Sequence, residues 1–383
     1  MSNNNYIAKT LFGLEEILAK ELSQIGANKI YVSNRAVNFE ADLKTLYKIN
    51  LGARTALRVL FPIKSFTAKN PDQLYKKSKE YGWAQLISLN DTFLVDSVVN
   101  SNNFKHSKYA ALKLKDAIVD KIRSQKGKRP NVDTKNPTFG INLHIDDEKC
   151  TISLDTSGES LHKRGYRLSG ERAPLNEVLA AGMIFLSGWD KKAPFIDPMC
   201  GSGTLAIEAA LMALNIPPNL NRNKFGFMNW KSFDKQIYQN AVTELKLDIK
   251  ETCEIIIGND NNSKSLISAK NNAKRASVDN VIKFTDNDFF KSNNSLESGT
   301  LICNPPYGER LKQEDIDEFY KKIGDTLKTN YNGFDAWVLS SNKIALKKLG
   351  LRTSRRLLLF NGALECKYHN YKLYKGSMKK KYE

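Results

Sequence analysis

The sequence predicts an α/β domain with a parallel sheet, preceded by two smaller α+β modules. Its 383 residues exceed what one hydrophobic core usually fills, so two or three domains are expected. The first part of the chain mixes hairpin-like and helical periods, whereas from residue 158 onward short apolar runs alternate with helices. Such runs are typical of buried parallel strands with helices on both faces of the sheet. We predict domains at residues 1–66, 67–157 and 158–383.

The first module has the order strand, helix, hairpin, helix, strand, which is the order of a β-α-β-β-α-β unit. Alternating apolar residues predict its strands, and helical spacing predicts its helices. The segments lie at 6–12, 14–25, 29–40, 43–56 and 57–66.

The second module begins with a helix at Asp72 and continues with a strand at 92–99 and a long amphipathic helix at 109–124. Two alternating strands, at 140–145 and 151–155, close it around a turn. Neither of these modules places an acid, a histidine and a nucleophile in a catalytic pattern. We therefore expect both to bind rather than to catalyse.

A polar, basic connector with three glycines, residues 158–177, opens the third domain. The rest of that domain repeats strand and helix. We predict strands at 194–196, 254–257, 281–284, 301–303 and 336–339, helices at 205–214, 263–276, 316–329 and 344–349, and a terminal hairpin at 357–360 and 367–374.

The charge of the chain indicates a polyanionic partner. Its 59 lysines and arginines outnumber its 41 aspartates and glutamates, which gives a formal net charge of +18. Such an excess favours binding to phosphates, because neutralising them releases counterions. Solubility alone is the alternative explanation.

The cysteines and histidines argue against a disulfide framework and against a metal site. Five scattered cysteines form no C-x-x-C pair, a pattern typical of a protein in the reducing cytoplasm. Four scattered histidines offer no His-based metal site. The first residues show no apolar signal core, and no apolar run approaches the ~20 residues of a membrane span. We expect a cytoplasmic protein without a metal and without a membrane partner.

The stretch DPMCGSGT, residues 197–204, follows an apolar run and predicts a tight turn into a helix. Its continuation satisfies G-x-G-x-x-A, in which glycines let the backbone approach a pyrophosphate. A dinucleotide fold places its ribose-binding acid about 20 residues further on, whereas here the first acid at a strand end is Asp260. Asp197 would also repel a pyrophosphate and suits a cationic ligand. A P-loop is excluded because no Gly-Lys-Ser/Thr follows, and a glycine turn used only for packing is the alternative.

The stretch NPPY predicts a stiff loop at the carboxyl end of a strand, where open α/β sheets bind their ligands. Pro305 and Pro306 supply the stiffness. The carbonyl groups of Asn304 and Pro305 can accept the two hydrogens of a planar exocyclic amine and stabilise the charge developing on its nitrogen. Tyr307 can stack on an extruded base. A rigid Pro-Pro turn with an Asn cap is the alternative.

Together these motifs resemble the class I S-adenosylmethionine-dependent RNA methyltransferases that carry an N-terminal ferredoxin-like unit and a THUMP domain. Within that family, the sequence is most similar to bacterial enzymes that methylate guanine N2 in large-subunit ribosomal RNA. The resemblance covers nearly the whole chain and implies a Rossmann-like methyltransferase domain. It rests on SGESLHKRGYR (157–167), APLNEVLAAG (173–182), DPMCGSGTLAIEAA (197–210), GND (258–260), LICNPPYGERL (301–311) and NGALECKYHNYKLY (361–374). One departure, Asn176 where family members often have Lys, puts the contacts at a helix start in doubt.

The resemblance implies that the glycine turn surrounds the amino acid portion and the sulfonium of S-adenosylmethionine. Asp260 would bind the ribose hydroxyls and Asp288 would accept from the adenine amine, although the residues make Asp286 an equal candidate. A helix N-cap is the alternative role for each aspartate. No metal is needed, because in-line methyl displacement is driven by positioning in a polarising pocket. The implied residues of the turn are Asp197, Pro198, Cys200, Gly201, Ser202, Gly203 and Thr204.

Two basic segments supply the predicted RNA contacts. The first comprises the helix at 109–124 and the loop SQKGKRP, which we expect to hold phosphates by shape rather than by sequence. The second is HKRGYR, in which Tyr166 lies between basic residues, and the stretch KKKY at 379–382 is a further candidate. A solvated helix face is the alternative for the first segment. The predicted RNA-binding residues are Lys113, Lys126, Lys128, Arg129, Lys163, Arg164 and Arg167.

Three functions are compatible with these residues. The first is methylation of guanine N2 in 23S ribosomal RNA. The NPPY loop also serves adenine N6 and cytosine N4 amines, so only the resemblance selects guanine, and a guanine of tRNA stays an alternative. The second is a non-catalytic RNA-binding or ribosome-assembly protein with a relic cofactor pocket. The third, from G-x-G-x-x-A, is a nicotinamide-dependent oxidoreductase. The oligomeric state does not follow from the sequence.

Overall fold

The computed structural model describes residues 3–167, 175–291, 293–308 and 313–374, without the side chains of 313 and 314. The predicted KKKY contact lies outside these residues, as do parts of the connector and of LICNPPYGERL. Among the described residues, no helix is both long and apolar enough to cross a membrane. The same part of the chain holds no group of three or more His, Cys, Asp or Glu side chains placed to bind a metal ion.

The first two modules share one eight-stranded sheet. Its strands are β1 (Asn4–Lys9), β2 (Asn28–Ser33), β3 (Ala36–Ala41), β4 (Arg58–Thr67), β5 (Thr92–Asn100), β6 (Asn131–Val132), β7 (Phe139–Asp146) and β8 (Lys149–Asp155). Their order across the sheet is β2-β3-β1-β4-β8-β7-β5-β6. The helices of this part are α1 (Glu15–Ile25), α2 (Leu43–Gly52), α3 (Pro71–Lys79), α4 (Trp83–Leu86) and α5 (Ser107–Lys126).

Strand β4 joins the two modules. Its first residues pair antiparallel with β1, and its remainder, from Leu60 to Thr67, pairs antiparallel with β8. The domain boundary that we predict after residue 66 therefore lies inside a continuous strand, and the division into domains stays a prediction. Capping residues in the sequence determine where helices of this part begin. Asp42, for example, begins α2 by accepting the N–H of Thr45.

The third domain contains a seven-stranded sheet. Its strands are β9 (Phe195–Asp197), β10 (Ile256–Asp260), β11 (Ile282–Asp286), β12 (Gly299–Cys303), β13 (Phe334–Ser340), β14 (Arg355–Asn361) and β15 (Leu364–Lys372), and its helices are α6 (Glu177–Ser187), α7 (Thr204–Ala213), α8 (Lys235–Leu247), α9 (Ser263–Arg275), α10 (Gln313–Asn330) and α11 (Lys343–Lys348). The order is β11-β10-β9-β12-β13-β15-β14. The first five strands are parallel, and β15 runs antiparallel to both neighbours. The predicted α/β fold class is confirmed.

The helix start that the departure at Asn176 put in doubt is intact. The Asn176 side-chain oxygen accepts the N–H groups of Val178 and Leu179 at 2.9 and 3.3 Å and so caps α6. This helix packs its buried face on α7, against the same sheet that carries the glycine turn.

The segment between the glycine turn and Asp260 packs the third domain onto the first. The ring of Phe227 lies 4.5 Å from that of Tyr47 on α2, and α8, which the sequence did not predict, packs on the same helix. Arg54, just beyond α2, donates to the backbone carbonyls of Leu211 and Ile216. The first module and the methyltransferase-like sheet therefore share a buried interface.

Candidate cofactor and base-binding site

The predicted site residues follow three adjacent strands. Strand β9 is central, with Gly258 of β10 beside Asp197 on one side and Leu301 of β12 beside Ile196 on the other. Because parallel strands end at the same edge of a sheet, the residues that follow them meet there. The structure thus brings together the glycine turn, Asp260 and Asn304.

A cleft of about 560 Å³ opens at this edge, a size that suits a nucleoside-sized ligand. It contains predicted residues from both motifs. Those that line it are Asp197, Cys200, Gly201, Ser202, Thr204 and Asn304. Residues that the sequence patterns did not predict also line it: Leu175, Met199, Leu205, Asn262, Lys264, Ser265 and Ser268. The four on or just before α9 could have been found as the first turns of the helix that follows Asp260.

The glycine turn needs its glycines for backbone conformation. Gly201 and Gly203 adopt left-handed backbone angles, with φ of 52° and 85°. A Cβ on Gly203 would also come within 3.0 Å of Ala269 Cβ, so this residue lets α7 approach α9 closely. The turn is tightened further by the Cys200 N–H, which donates to the carbonyl of Asn259 at 2.8 Å, while Pro198 is buried beneath it.

Asp197 is a buried carboxyl group with an unsatisfied oxygen. The residue is 1% exposed, and within the described part of the chain its Oδ1 has no hydrogen-bond partner. Burial raises the pKa of Asp197 well above its ordinary value, and the N–H of Met199 only partly opposes this, while the nearby Asp260 raises the pKa further. A cation in the cleft would satisfy the free oxygen and restore the charged form. The carboxylate therefore fits S-adenosylmethionine, whose ammonium group can donate to it and whose sulfonium complements its charge.

Asp260 ties the second strand to the glycine turn. Its Oδ2 accepts the N–H of Gly201 at 2.8 Å, and its Oδ1 accepts the N–H of Asn262 at 2.9 Å. The N-cap of α9 is Asn262 rather than Asp260. The alternative of a simple helix cap therefore does not apply to Asp260, which is held at a strand end beside the cleft.

The two candidates for the adenine contact have different partners. Asp286 lies in register beside Asp260 and accepts from the Ser263 hydroxyl at 2.8 Å. Asp288 begins a short 3₁₀ turn by accepting the N–H of Phe290 at 3.0 Å. Neither contact selects one carboxylate for adenine, so both assignments stay predictions.

The NPPY loop is held from beneath by polar contacts. The Tyr307 hydroxyl donates to Asn304 Oδ1 at 2.7 Å, and the Pro306 carbonyl accepts from the Tyr320 hydroxyl at 3.3 Å. Pro305 is buried, whereas Pro306 is exposed. Tyr307 is half-buried and packs against the main core, and burial raises the pKa of its phenol. Its stacking on a base stays a prediction.

Arg167 contacts the end of the glycine turn. Its guanidinium donates to the Thr204 hydroxyl and to the Leu175 carbonyl, and it pairs with Glu177 at 3.1 Å. Thr204 and Leu175 both line the cleft. The Arg167 guanidinium is thus engaged by the buried carboxylate of Glu177, and its role as a phosphate contact stays a prediction.

The prediction of Arg164 as an RNA contact needs correction. It is 3% exposed, and its guanidinium donates to the carbonyls of Leu161 and Arg54 and pairs with Glu208 at 3.5 Å. Tyr166, equally buried, donates to the same carboxylate at 3.1 Å. A buried guanidinium with these partners cannot reach an RNA phosphate, so this prediction is wrong.

The other predicted RNA contacts lie at or near the surface. Lys126, Lys128, Arg129 and Lys163 are exposed, and Lys113 is half-buried. Two of these lysines are already paired: Lys113 with Asp72 at 3.5 Å and Lys163 with Glu159 at 2.8 Å. Lys126 donates to the carbonyl of Ile87 at 3.1 Å. Their role in RNA binding stays a prediction.

Three sequence families match the chain. They are the RlmL ferredoxin-like domain at residues 5–60, the THUMP domain at 68–155, and the RMKL-like methyltransferase domain at 164–370. The last match covers more than half of the chain.

Similar proteins carry matching names. An RNA methyltransferase by name from Synechocystis sp. is 38% identical over 371 residues, which cover 96% of this chain and 97% of that protein. The ribosomal RNA large subunit methyltransferase K/L of Syntrophotalea carbinolica is 38% identical over 94% of this chain but only 52% of its own length. This chain thus spans about half the length of that relative.

A solved structure gives the same result for the fold. SMU.472, a methyltransferase complexed with SAH, superimposes with a TM-score of 0.86 and 28% identity over 98% of this chain and 100% of its own. These matches confirm the resemblance that the motifs predict. The chain therefore belongs to the RMKL-like family of S-adenosylmethionine-dependent RNA methyltransferases, with an RlmL-type ferredoxin-like domain and a THUMP domain.

Proposed function

We propose that the protein methylates the exocyclic N2 amine of a guanine in 23S ribosomal RNA. The observation that carries the proposal is that Asn304 and the buried, unsatisfied carboxyl of Asp197 line one cleft, at the ends of neighbouring strands. A carboxylate suits a sulfonium cosubstrate, and an amide oxygen suits an amine.

The cleft residues have separate roles in this reaction. S-adenosylmethionine, when bound, supplies an electrophilic methyl group, whose bond to sulfur breaks as the amine nitrogen forms the new C–N bond. Asp197 and the glycine turn would hold the cationic part of the cosubstrate, and Asp260 would hold its ribose. Asn304 Oδ1 and the Pro305 carbonyl would accept the amine hydrogens and so direct the nitrogen lone pair towards the methyl carbon. The methylated nitrogen then loses one proton to water.

The choice of guanine as the base and of 23S ribosomal RNA as the substrate rests on the family resemblance and on the names of relatives. The acceptor pair fits any exocyclic amine, so adenine N6 and a guanine of tRNA are the competing substrates. The exposed Lys126, Lys128 and Arg129 support an RNA partner. The five free cysteines support a cytoplasmic location.

The test of the chemistry is the change Asn304→Ala. Losing one acceptor for the developing charge should lower turnover by about 10² to 10³, whereas calorimetry should show little change in the Kd of S-adenosylmethionine. Asn240→Ala, on the exposed face of α8, is the matched control. Unchanged turnover in Asn304→Ala would remove this residue from the reaction.

A second test addresses the cofactor site. Because burial favours neutral Asp197, the affinity for S-adenosylmethionine should rise as pH rises through the raised folded-state pKa of Asp197. Stability of the ligand-free protein should change in the opposite sense. The neutral carboxyl stabilises the folded state at low pH, and this contribution is lost as pH rises through the same pKa. The Asp197→Asn variant should bind S-adenosylmethionine weakly. Neither its affinity in calorimetry nor its stability in thermal melting should show this dependence on pH.

A further inference from the structure

We propose that Asn361 is a positioning residue that orients the side-chain amide of Asn304 through the hydroxyl group of Tyr307. The inference rests on the proposed function, in which Asn304 accepts a hydrogen of the target amine. Asn361 is the last residue of β14 and lies 54 positions from Tyr307 in the chain. Only the β14–β15 hairpin brings it beneath the NPPY loop.

Three polar groups form a relay with a defined direction. Asn361 Nδ2 donates to the Tyr307 hydroxyl at 3.3 Å, and that hydroxyl donates to Asn304 Oδ1 at 2.7 Å. The thiol of Cys366 on β15 lies 3.9 Å from the hydroxyl, but it is closer to the Leu364 carbonyl, at 3.6 Å. Because Asn361 donates to the hydroxyl and Asn304 Oδ1 accepts from it, the single proton of the phenol points to Asn304.

The surroundings keep Tyr307 in this role. Burial raises the pKa of the phenol, so it stays a donor at physiological pH. The ring packs against the main core, and the Tyr307 carbonyl accepts from Asn342 Nδ2 at 3.4 Å. Cys366 is fully buried, which holds the hairpin side of the relay in place.

The direction of the relay decides what Asn304 presents to the base. With the phenol donating, the amide oxygen of Asn304 is fixed, and its second lone pair can accept an amine hydrogen. If the phenol proton pointed the other way, the amide would turn its NH₂ group towards the phenol oxygen. The geometry at the amine would then lose the fixed acceptor that the reaction requires.

The test reverses the relay without changing its shape. Asn361→Asp is nearly isosteric, but its carboxylate accepts the phenol proton and withdraws it from Asn304. We expect a loss of about tenfold in kcat with an unchanged Kd for S-adenosylmethionine. Asn361→Ala leaves the phenol proton on Asn304 and should lose less. A merely structural role predicts the opposite order, because alanine removes more of the side chain.

Tyr307→Phe supplies the control for an added negative charge. It keeps the ring but removes the hydroxyl, so Asn361→Asp should have no further effect on kcat in that background. Thermal melting verifies that each variant is folded. Asn361→Asp with wild-type kcat, or with a smaller loss than Asn361→Ala, would overturn the relay. If the unchanged protein transfers no methyl group to ribosomal RNA, the proposed function fails instead, so the two failures are distinguishable.

Discussion

The two basic segments of this protein have similar compositions and opposite environments. SQKGKRP, residues 124–130, places Lys126, Lys128 and Arg129 at the surface, at the end of α5 and just after it. HKRGYR, residues 162–167, places Arg164 in the core and Arg167 against the cofactor turn, and only Lys163 among its three cations is exposed. Basic composition alone therefore does not identify an RNA surface.

The difference comes from acids elsewhere in the chain. Glu208 stands in the apolar helix α7 with no exposed surface, and Glu177 begins α6 at 3% exposure. A carboxylate in such a place needs a cation, because burying an unpaired charge costs several kcal/mol. The connector supplies those cations, whereas the cations of SQKGKRP are exposed at the surface. Glu208, the one charged residue inside the apolar stretch GTLAIEAALMA, was the feature of the sequence that could have predicted a buried cation beside it.

Arg164→Ala should have the largest effect of any change in either segment. It leaves Glu208 buried and without its cation, and it removes the donor to the carbonyls of Arg54 and Leu161. We expect a loss of about 3 to 5 kcal/mol in the free energy of unfolding, measured by urea denaturation. Arg164→Met with Glu208→Gln should recover part of it. A fully stable Arg164→Ala protein would contradict the comparison.

Arg167→Ala should weaken cofactor binding and also lower stability, because it removes the ion pair of the buried Glu177. The guanidinium braces Thr204 and Leu175, which line the cleft, against Glu177. Losing this brace should weaken S-adenosylmethionine binding by about tenfold, the effect of about 1.4 kcal/mol, in calorimetric titration. Arg167→Lys, which keeps the charge without the fork of donors, should bind with intermediate affinity. If Arg167→Ala weakened only RNA binding, Arg167 would be a phosphate contact after all.

The triple change of Lys126, Lys128 and Arg129 to alanine should act mainly on RNA binding. For every phosphate that the variant no longer neutralises, the salt slope of log K should fall by about one, and affinity should fall across RNA sequences. Filter binding over a range of salt concentrations measures both, and the melting temperature should fall only slightly, through loss of the bond from Lys126 to the Ile87 carbonyl. An unchanged salt slope would show that these residues form only a solvated surface.

Lys163→Ala should have the smallest effect. Its partner Glu159 is 66% exposed, and an exposed i,i+4 pair contributes at most about 0.5 kcal/mol. We expect no measurable change in cofactor affinity and less than about threefold in RNA affinity. A large loss of stability in Lys163→Ala would contradict the assignment of Lys163 to the surface and of Arg164 to the core.

The parts of the site that lie at strand ends were predictable from sequence. Apolar runs ending in Asp197, Asp260 and Asn304 predict neighbouring positions at one edge of a parallel sheet, and the structure places them there. Contacts between distant elements were not predictable in this way. The partner of Arg164 depends on how the connector packs on α7, and that of Tyr307 depends on the register of the β14–β15 hairpin. Neither is encoded in local periodicity.

The packing between the domains was missed for a similar reason. The aromatic residues between the glycine turn and Asp260 carry no regular period, although Phe227 and Tyr238 pack on Tyr47 and Phe225 stacks on Phe227. Helix α8 is amphipathic, but its partner α2 lies far away in sequence. Fold class therefore followed from local patterns, whereas the interface required the tertiary structure.

The most direct test of the central claim is methyl transfer to undermodified ribosomal RNA, with the product nucleosides identified by mass spectrometry. The purified protein and S-adenosylmethionine should yield N2-methylguanosine in 23S RNA, and the Asn304→Ala variant should yield far less. N6-methyladenosine would keep the amine chemistry but contradict the choice of base. No methylated nucleoside from either free RNA or preribosomal particles, despite measurable cofactor binding, would contradict the catalytic function itself.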